Sequence, residues 1–234
     1  MNSRNALLPA LAQLFFPHIC CGCGTDLLTP DSIFCIYCLG SMPLTGFETH
    51  AGNPVEKNFW GRADIHAASA HLYFTKDSAV QQSLHRFKYK GRKEIGRYFG
   101  RLAGLALKKS GRFENCQLIL PLPLHVSREK TRGYNQAAVL GEGISEIMQI
   151  PVISNALVRI SGTATQTHKN RIQRWQNIAN KFRVVQPEQL RGKHILLVDD
   201  VITTGATLEA CAQTLLRVEG VSLSIATLAY SVSG

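Results

Sequence analysis

The stretch His194-Ile-Leu-Leu-Val-Asp199-Asp200-Val-Ile-Thr203-Thr204-Gly205-Ala206-Thr207 decides how the chain is read. Its apolar run, Ile195 to Val198, is too short for a helix and predicts a buried parallel strand with apolar side chains on both faces. Two carboxylates close it. A turn of Thr and Gly follows, and Leu208, Cys211, Ala212 and Leu215 then recur at helical spacing, predicting a helix from Ala206 to Val218. The order is strand, acidic pair, loop, helix.

That order has a chemical meaning. The end of a parallel strand opens into the crevice where α/β sheets bind ligands, and the next helix presents unpaired N–H groups suited to a phosphate. Gly205 lets the backbone approach an anion, and the hydroxyls of Thr203, Thr204 and Thr207 add donors. Carboxylates repel phosphate, so Asp199 and Asp200 suit vicinal hydroxyls or a hydrated Mg²⁺. Together the set describes a sugar phosphate. Helix capping alone needs one Asp and leaves the rest unexplained.

The chain has 234 residues, 45% of them hydrophobic, enough for one full core and a small appended module. The apolar run from Ala6 to Phe16 is broken by Pro9 and Gln13, which predicts a short amphipathic helix rather than a signal peptide. No run is long enough to span a bilayer. The net charge is +10, and residues 81–193 hold 21 of the 26 Lys and Arg but 6 of the 16 Asp and Glu. Such a basic midsection implies polyanionic partners, phosphorylated small molecules or nucleic acid.

Seven cysteines include two CxxC pairs, Cys20/Cys23 and Cys35/Cys38, a pattern that favours metal over disulfides and a reducing, cytoplasmic compartment. The pairs can direct four thiolates at one tetrahedral Zn²⁺, with Gly22 and Gly24 easing the turn. Cys21 and His18 are alternative ligands. Four thiolates leave no open position, so the zinc is structural. Residues 39–64 read as an irregular connector, and the alternation from Ala68 to Thr75 as a strand. Helices are predicted over Ser78–Phe87 and Lys93–Lys109. Ten basic residues and one acid fall within 81–112, Lys88, Lys90, Arg92 and Lys93 among them, interleaved with Phe87, Tyr89, Tyr98 and Phe99. This is either a track for a nucleic-acid backbone with stacking rings or a solvated helix face over core aromatics.

Leu118 to Leu120 predicts a second short strand, followed by a basic loop from His125 to Gln136 and a helix carrying Val139 and Ile144. Residues 161–181 are dense in hydrogen-bonding side chains and suit a lid over a charged ligand. Strands at Lys181–Gln186, His194–Val198 and Ser222–Tyr230 complete an α/β pattern: a parallel sheet flanked by helices, with a small N-terminal cysteine module. The domain division expected is 1–64 for the helix, module and connector, and 65–234 for the sheet domain.

Val198 to Thr207 resembles the phosphoribosyl pyrophosphate (PRPP) motif of type I phosphoribosyltransferases. The resemblance implies that the Asp pair contacts ribose hydroxyls, that Thr203–Thr207 hold the 5′-phosphate, and that Mg²⁺ accompanies the ligand. It makes Arg128 and Arg132 candidates for pyrophosphate, though either could bind nucleic acid. Adding Phe16-Pro17, the four cysteines, Phe87-Lys88-Tyr89…Gly91 and Pro121-Leu122-Pro123-Leu124…Arg132-Gly133-Tyr134-Asn135-Gln136, most of the chain resembles the ComF family. That family pairs a zinc finger with a phosphoribosyltransferase domain, and the likeness implies a role in DNA uptake and transformation on the cytosolic side. Single-stranded DNA and proteins of the uptake machinery are the implied partners. The chain starts Met1-Asn2, without an N-terminal cysteine nucleophile, so glutamine use is not expected. The alternative expectation is an enzyme of nucleotide or amine metabolism that transfers ribose 5-phosphate from PRPP and releases pyrophosphate.

Overall fold

A computed structural model describes residues 18–29, 32–160 and 181–231. Its strands are β1 (Ala67–Phe74), β2 (Leu118–Pro121), β3 (Leu157–Arg159), β4 (Phe182–Val184), β5 (His194–Ile202) and β6 (Ser222–Ser231). Four of them form one parallel sheet in the order β1-β6-β5-β2, while β3 and β4 make a separate antiparallel pair. The expected strand at Lys181–Gln186 therefore stands outside the main sheet. β5 is central, with Val198 opposite Pro121 on one side and Ala226 on the other. Ile195 to Val198 are at most 1% exposed, as a strand covered on both faces requires.

The helices are α1 (Ile36–Gly40), α2 (Pro54–Lys57), α3 (Ala79–Tyr89), α4 (Lys93–Ser110), α5 (Val126–Arg132), α6 (Gln136–Met148) and α7 (Ala206–Leu215). Leu84, Phe87, Phe99, Leu140 and Ile144 bring α3, α4 and α6 onto the face that carries Leu196 and Val198. Val55, Leu208 and Leu215 bring α2 and α7 onto the opposite face, with Ile195 and Leu197. Apolar side chains on both sides of the sheet thus produce three layers. α4 and α6 touch backbone to backbone: a Cβ added at Gly100 would sit 2.4 Å from the Leu140 carbonyl oxygen.

Connections from β2 and β5 run in opposite directions. After β2, α6 returns the chain to Pro151–Ile153, which hydrogen-bond in parallel beside Ile119. After β5, α7 leads to β6 on the other side. The crevice between the C-terminal ends of β2 and β5 is therefore the switch point of the sheet. The far edge, β1, is covered by an antiparallel segment in which Thr45 N–H donates to His71 and Tyr73 N–H to the Pro43 carbonyl.

Three segments differ from expectation. Residues 39–64 are an ordered strap: Asn53 caps α2 by accepting from Val55 and Glu56 N–H, its amide donates to the Ala68 carbonyl at 2.8 Å, and Phe47, Val55 and Phe59 are buried. The basic loop after β2 contains a helix, α5, with no buried residue. β5 runs through the acidic pair to Ile202 instead of stopping before it. The expected N-terminal helix and the lid at 161–181, Lys181 apart, lie outside the described residues. No helix among the described residues is long and apolar enough to cross a membrane.

Candidate functional site

Because β5 continues through Asp199 and Asp200, the pleat sends their side chains to opposite faces. Asp200 turns toward α3, where its Oδ2 lies 2.7 Å from Lys88 Nζ; the two side chains are 14% and 19% exposed. Asp199 turns toward α7 and the β3–β4 pair, within electrostatic reach of Arg159 and of the buried thiol of Cys211. Burial, and then the neighbouring charge of Asp200, push the Asp199 carboxyl up to about 8, against the Asp200 N–H, Lys88 and Arg159. One carboxylate is thus ion-paired and the other favours holding its proton, so the strand end carries little net negative charge.

Immediately beyond, Asp199, Val201 and the loop from Ile202 to Leu208 line a cavity of about 70 Å³. Gly205 has φ +75° and leads α7 with no side-chain cap, so the first N–H groups of the helix point into this space. A side chain at that φ is strained, which is why glycine stands there. The Cβ position of Gly205 is 3.4 Å from Asn58 Cβ and 3.5 Å from the Phe59 ring. The Asn58 amide nitrogen is buried without a hydrogen-bond partner among the described residues, a spare donor beneath the loop.

Across the switch point, Tyr89, Ser127, Arg128, Thr131 and Arg132 line an open depression of about 340 Å³. Arg132 is held by the Gln136 side chain at 2.7 Å and lies 5.5 Å from the centre of the Tyr89 ring, which is 56% exposed. The two groups of predicted anion ligands line separate pockets, and Arg159 lies within electrostatic reach of Arg128 in one and of Asp199 in the other. Two residues of the crevice were not predicted as part of it. Lys88 was expected on a nucleic-acid face, and Arg159 carried no local signal because its relation to Asp199 and Arg128 is made by the β3–β4 pair.

The basic segment 81–112 is more neutralised than its sequence implies. Arg92 pairs with Glu94, Arg97 with Glu142, Arg101 with Glu146 and Arg112 with Glu56. Lys93 lies 5.0 Å from the centre of the Tyr134 ring, and Lys90 makes no ion pair among the described residues. Of the four interleaved aromatics, Phe87 and Phe99 are fully buried, Tyr98 packs on Phe34, and Tyr89 presents its ring to solvent.

The four predicted cysteines meet. The Sγ atoms of Cys20, Cys23, Cys35 and Cys38 lie within 4.8 Å of one another, and Cys23–Cys35 is 3.7 Å. Ligand sulfurs at about 2.3 Å from a tetrahedral Zn²⁺ stand about 3.8 Å apart. The N–H groups of Gly22 and Cys35 donate to Cys20 Sγ at 3.4 and 3.3 Å. Against burial, which acts upward, hydrogen bonds from Cys35, Cys23 and Gly22 bring the Cys20 thiol down to about 6. Burial and the neighbouring thiols push Cys38 up, so four thiolates need a cation among them. The donor set fits a structural tetrahedral metal. His18 instead bonds the Ser32 carbonyl at 2.6 Å, and Cys21 is buried outside the cluster. A Cβ at Gly22 would stand 2.7 Å from Cys38 Sγ, so this glycine serves space.

A parallel sheet with an acidic pair and a glycine-led helix at its switch point defines a domain of the phosphoribosyltransferase class. Residues 134–234 match the family model described as phosphoribosyl transferase domain. The chain is 33% identical over 223 residues to Competence protein F of Haemophilus influenzae, covering 88% of this chain and 94% of that protein. It is 33% identical over 205 residues to the DNA utilization protein YhgH of Escherichia coli O157:H7, covering 85% and 84%. It is 30% identical over 144 residues to Competence protein ComFC of Bacillus subtilis, covering 62% and 56%. The chain belongs to the ComF family, with a type I phosphoribosyltransferase domain behind an N-terminal cysteine module.

Proposed function

We propose that the crevice binds PRPP, or another ribose carrying a 5′-phosphate, and that the protein handles single-stranded DNA in its uptake or processing in the cytoplasm, with zinc on Cys20, Cys23, Cys35 and Cys38. One observation carries the first part: Asp199 and the uncapped, glycine-led start of α7 line the same small cavity, so hydroxyl acceptors and phosphate donors sit one loop apart. Asp199 and Asp200 receive the ribose hydroxyls, Thr203 to Thr207 the 5′-phosphate, and Arg128 and Arg132 the pyrophosphate end. Mg²⁺ bound with the ligand would offset the pyrophosphate charge. The DNA role rests on the names of the relatives, and on the exposed Tyr89 ring near Lys90, Arg92 and Lys93, an arrangement suited to stacking a base beside a phosphate.

Turnover is the second reading. Cations lining one pocket and the Asp199 carboxyl lining the other are what departure of pyrophosphate from ribose requires, since charge develops with opposite signs on the two fragments. Calorimetric titration with PRPP–Mg²⁺ tests the pocket. Binding is expected in the wild type and its loss in Asp199→Ala/Asp200→Ala; a wild type that does not bind overturns the proposal. Binding of single-stranded DNA should weaken steeply with salt, and charge removal at Lys90, Arg92 and Lys93 should flatten that slope.

A further inference from the structure

Helix α3 reaches both the cysteine cluster and the sugar-phosphate crevice. Near its middle, the Ser83 hydroxyl shares its one proton between the Ala79 carbonyl at 2.6 Å and the Cys21 carbonyl at 3.2 Å. One turn on, Arg86 Nη1 donates to the Cys20 carbonyl at 2.6 Å. The Cys20 and Cys21 carbonyls belong to the knuckle that carries the first two thiols. Two residues further, Lys88 holds Asp200. At about 100° per residue, Arg86 and Lys88 stand on opposite flanks of the face buried by Val80, Leu84 and Phe87. The helix therefore lies between knuckle and strand end, with one cationic side chain reaching each way. Its last turn is also tied to the opposite loop, because Tyr134 Oη–H donates to the Phe87 carbonyl and Arg132 lies over the Tyr89 ring.

A charged carboxylate beside a phosphate site repels a polyphosphate unless something answers it. Lys88 does so for Asp200, and an ion pair so largely removed from water is costly to keep without a use. When ribose hydroxyls take over Asp200, the same ammonium stands within reach of the incoming anion.

We infer that Lys88 is a ligand-binding residue of the sugar-phosphate site, and that the cysteine module, through Cys20 and Cys21 on Arg86 and Ser83, positions it there, so that metal in the module sets affinity in the crevice. This rests on the proposed PRPP site for its ligand, but the link between module and crevice is measurable without one. In calorimetry with PRPP–Mg²⁺, Lys88→Met should weaken binding by about ten- to a hundredfold, the worth of one hydrogen bond to a charged group, and Lys88→Arg should restore most of it. Arg86→Met and Ser83→Ala should each weaken binding less, and should have no further effect in the Lys88→Met background. Losses that multiply independently would overturn the positioning role.

Hydrogen exchange on the full chain gives the ligand-free arm. Stripping zinc with a chelator should release protection at 84–90 and 199–204 together while β6 stays protected. Should chelation unfold the sheet, Arg86→Met in the zinc-loaded chain makes the same comparison. Unchanged exchange at 199–204 when 84–90 loosens would overturn the link. A wild type that ignores PRPP would defeat the functional proposal alone and leave the exchange result to decide this one.

Discussion

Replacing Gly205 by alanine separates the stability of the crevice loop from its capacity to bind. At φ +75° an alanine pays the left-handed penalty of about 1–2 kcal/mol. It meets no clash, since its Cβ would stand 3.4 Å from Asn58 Cβ and 3.5 Å from the Phe59 ring, ordinary contact distances. Gly192 provides the control: its φ is +67°, nothing lies within 4 Å of its Cβ position, and it sits in the turn before β5, remote from the crevice. Urea unfolding should show both Gly205→Ala and Gly192→Ala losing about 1–2 kcal/mol with the slope unchanged. Calorimetry with PRPP–Mg²⁺ should divide them. Gly192→Ala should bind as the wild type does. Gly205→Ala should bind at least about tenfold more weakly, because relaxing the backbone turns away an N–H whose bond to a phosphate is worth about 1.5–3 kcal/mol. Equal affinities for the two variants would refute the assignment of this loop to the phosphate.

Asp199 gives a pH signature. Its carboxyl is raised to about 8, so the folded chain keeps a proton that the unfolded chain releases near pH 4; the associated stability is present below that value and is lost as pH rises through 8. Asp199→Asn should therefore differ little from the wild type near pH 4 and gain on it by at most roughly 1.4 kcal/mol for each pH unit up to about 8, and a difference that does not vary with pH in unfolding titrations would sink the assignment. Gly22→Ala drives a methyl to 2.7 Å from Cys38 Sγ, and zinc competition against a chromogenic chelator should show affinity lowered by about 10–100-fold, whereas unaltered zinc retention would contradict the packing described.

The parts of the molecule legible in the sequence are those whose signal is local. β5 announces itself because burial on both faces demands an uninterrupted apolar run, and the CxxC pairs because two thiols on one knuckle need that spacing. α5 was missed because it buries nothing, so its residues carry no apolar period, and its helical form depends on the His125 cap and on Gly133 at its end. The strap over 39–64 was missed for the opposite reason: its anchors Phe47, Val55 and Phe59 are irregularly spaced and gain meaning only against the sheet. Lys88 shows the limit most directly. Its local neighbours are basic and aromatic, which points to nucleic acid, while its partner Asp200 comes from a strand laid down much later in the chain.

Pairing Ala67 with Ser224 also fixes an order of events during synthesis. β1 leaves the ribosome well before β6, its strand-length neighbour, and at about 5–20 residues per second the interval is roughly 8–30 s. Through that interval Ala67, Ala68, Ala70 and Leu72, at most 1% exposed in the finished protein, belong to a strand whose principal neighbour does not yet exist. The segment around Leu44, already made, pairs with the opposite edge of β1, so the edge that awaits β6 stays open. The N-terminal strap so halves the time-dependent hazard: one edge of β1 is covered early, and the other stays open to intermolecular pairing until β6 closes the sheet.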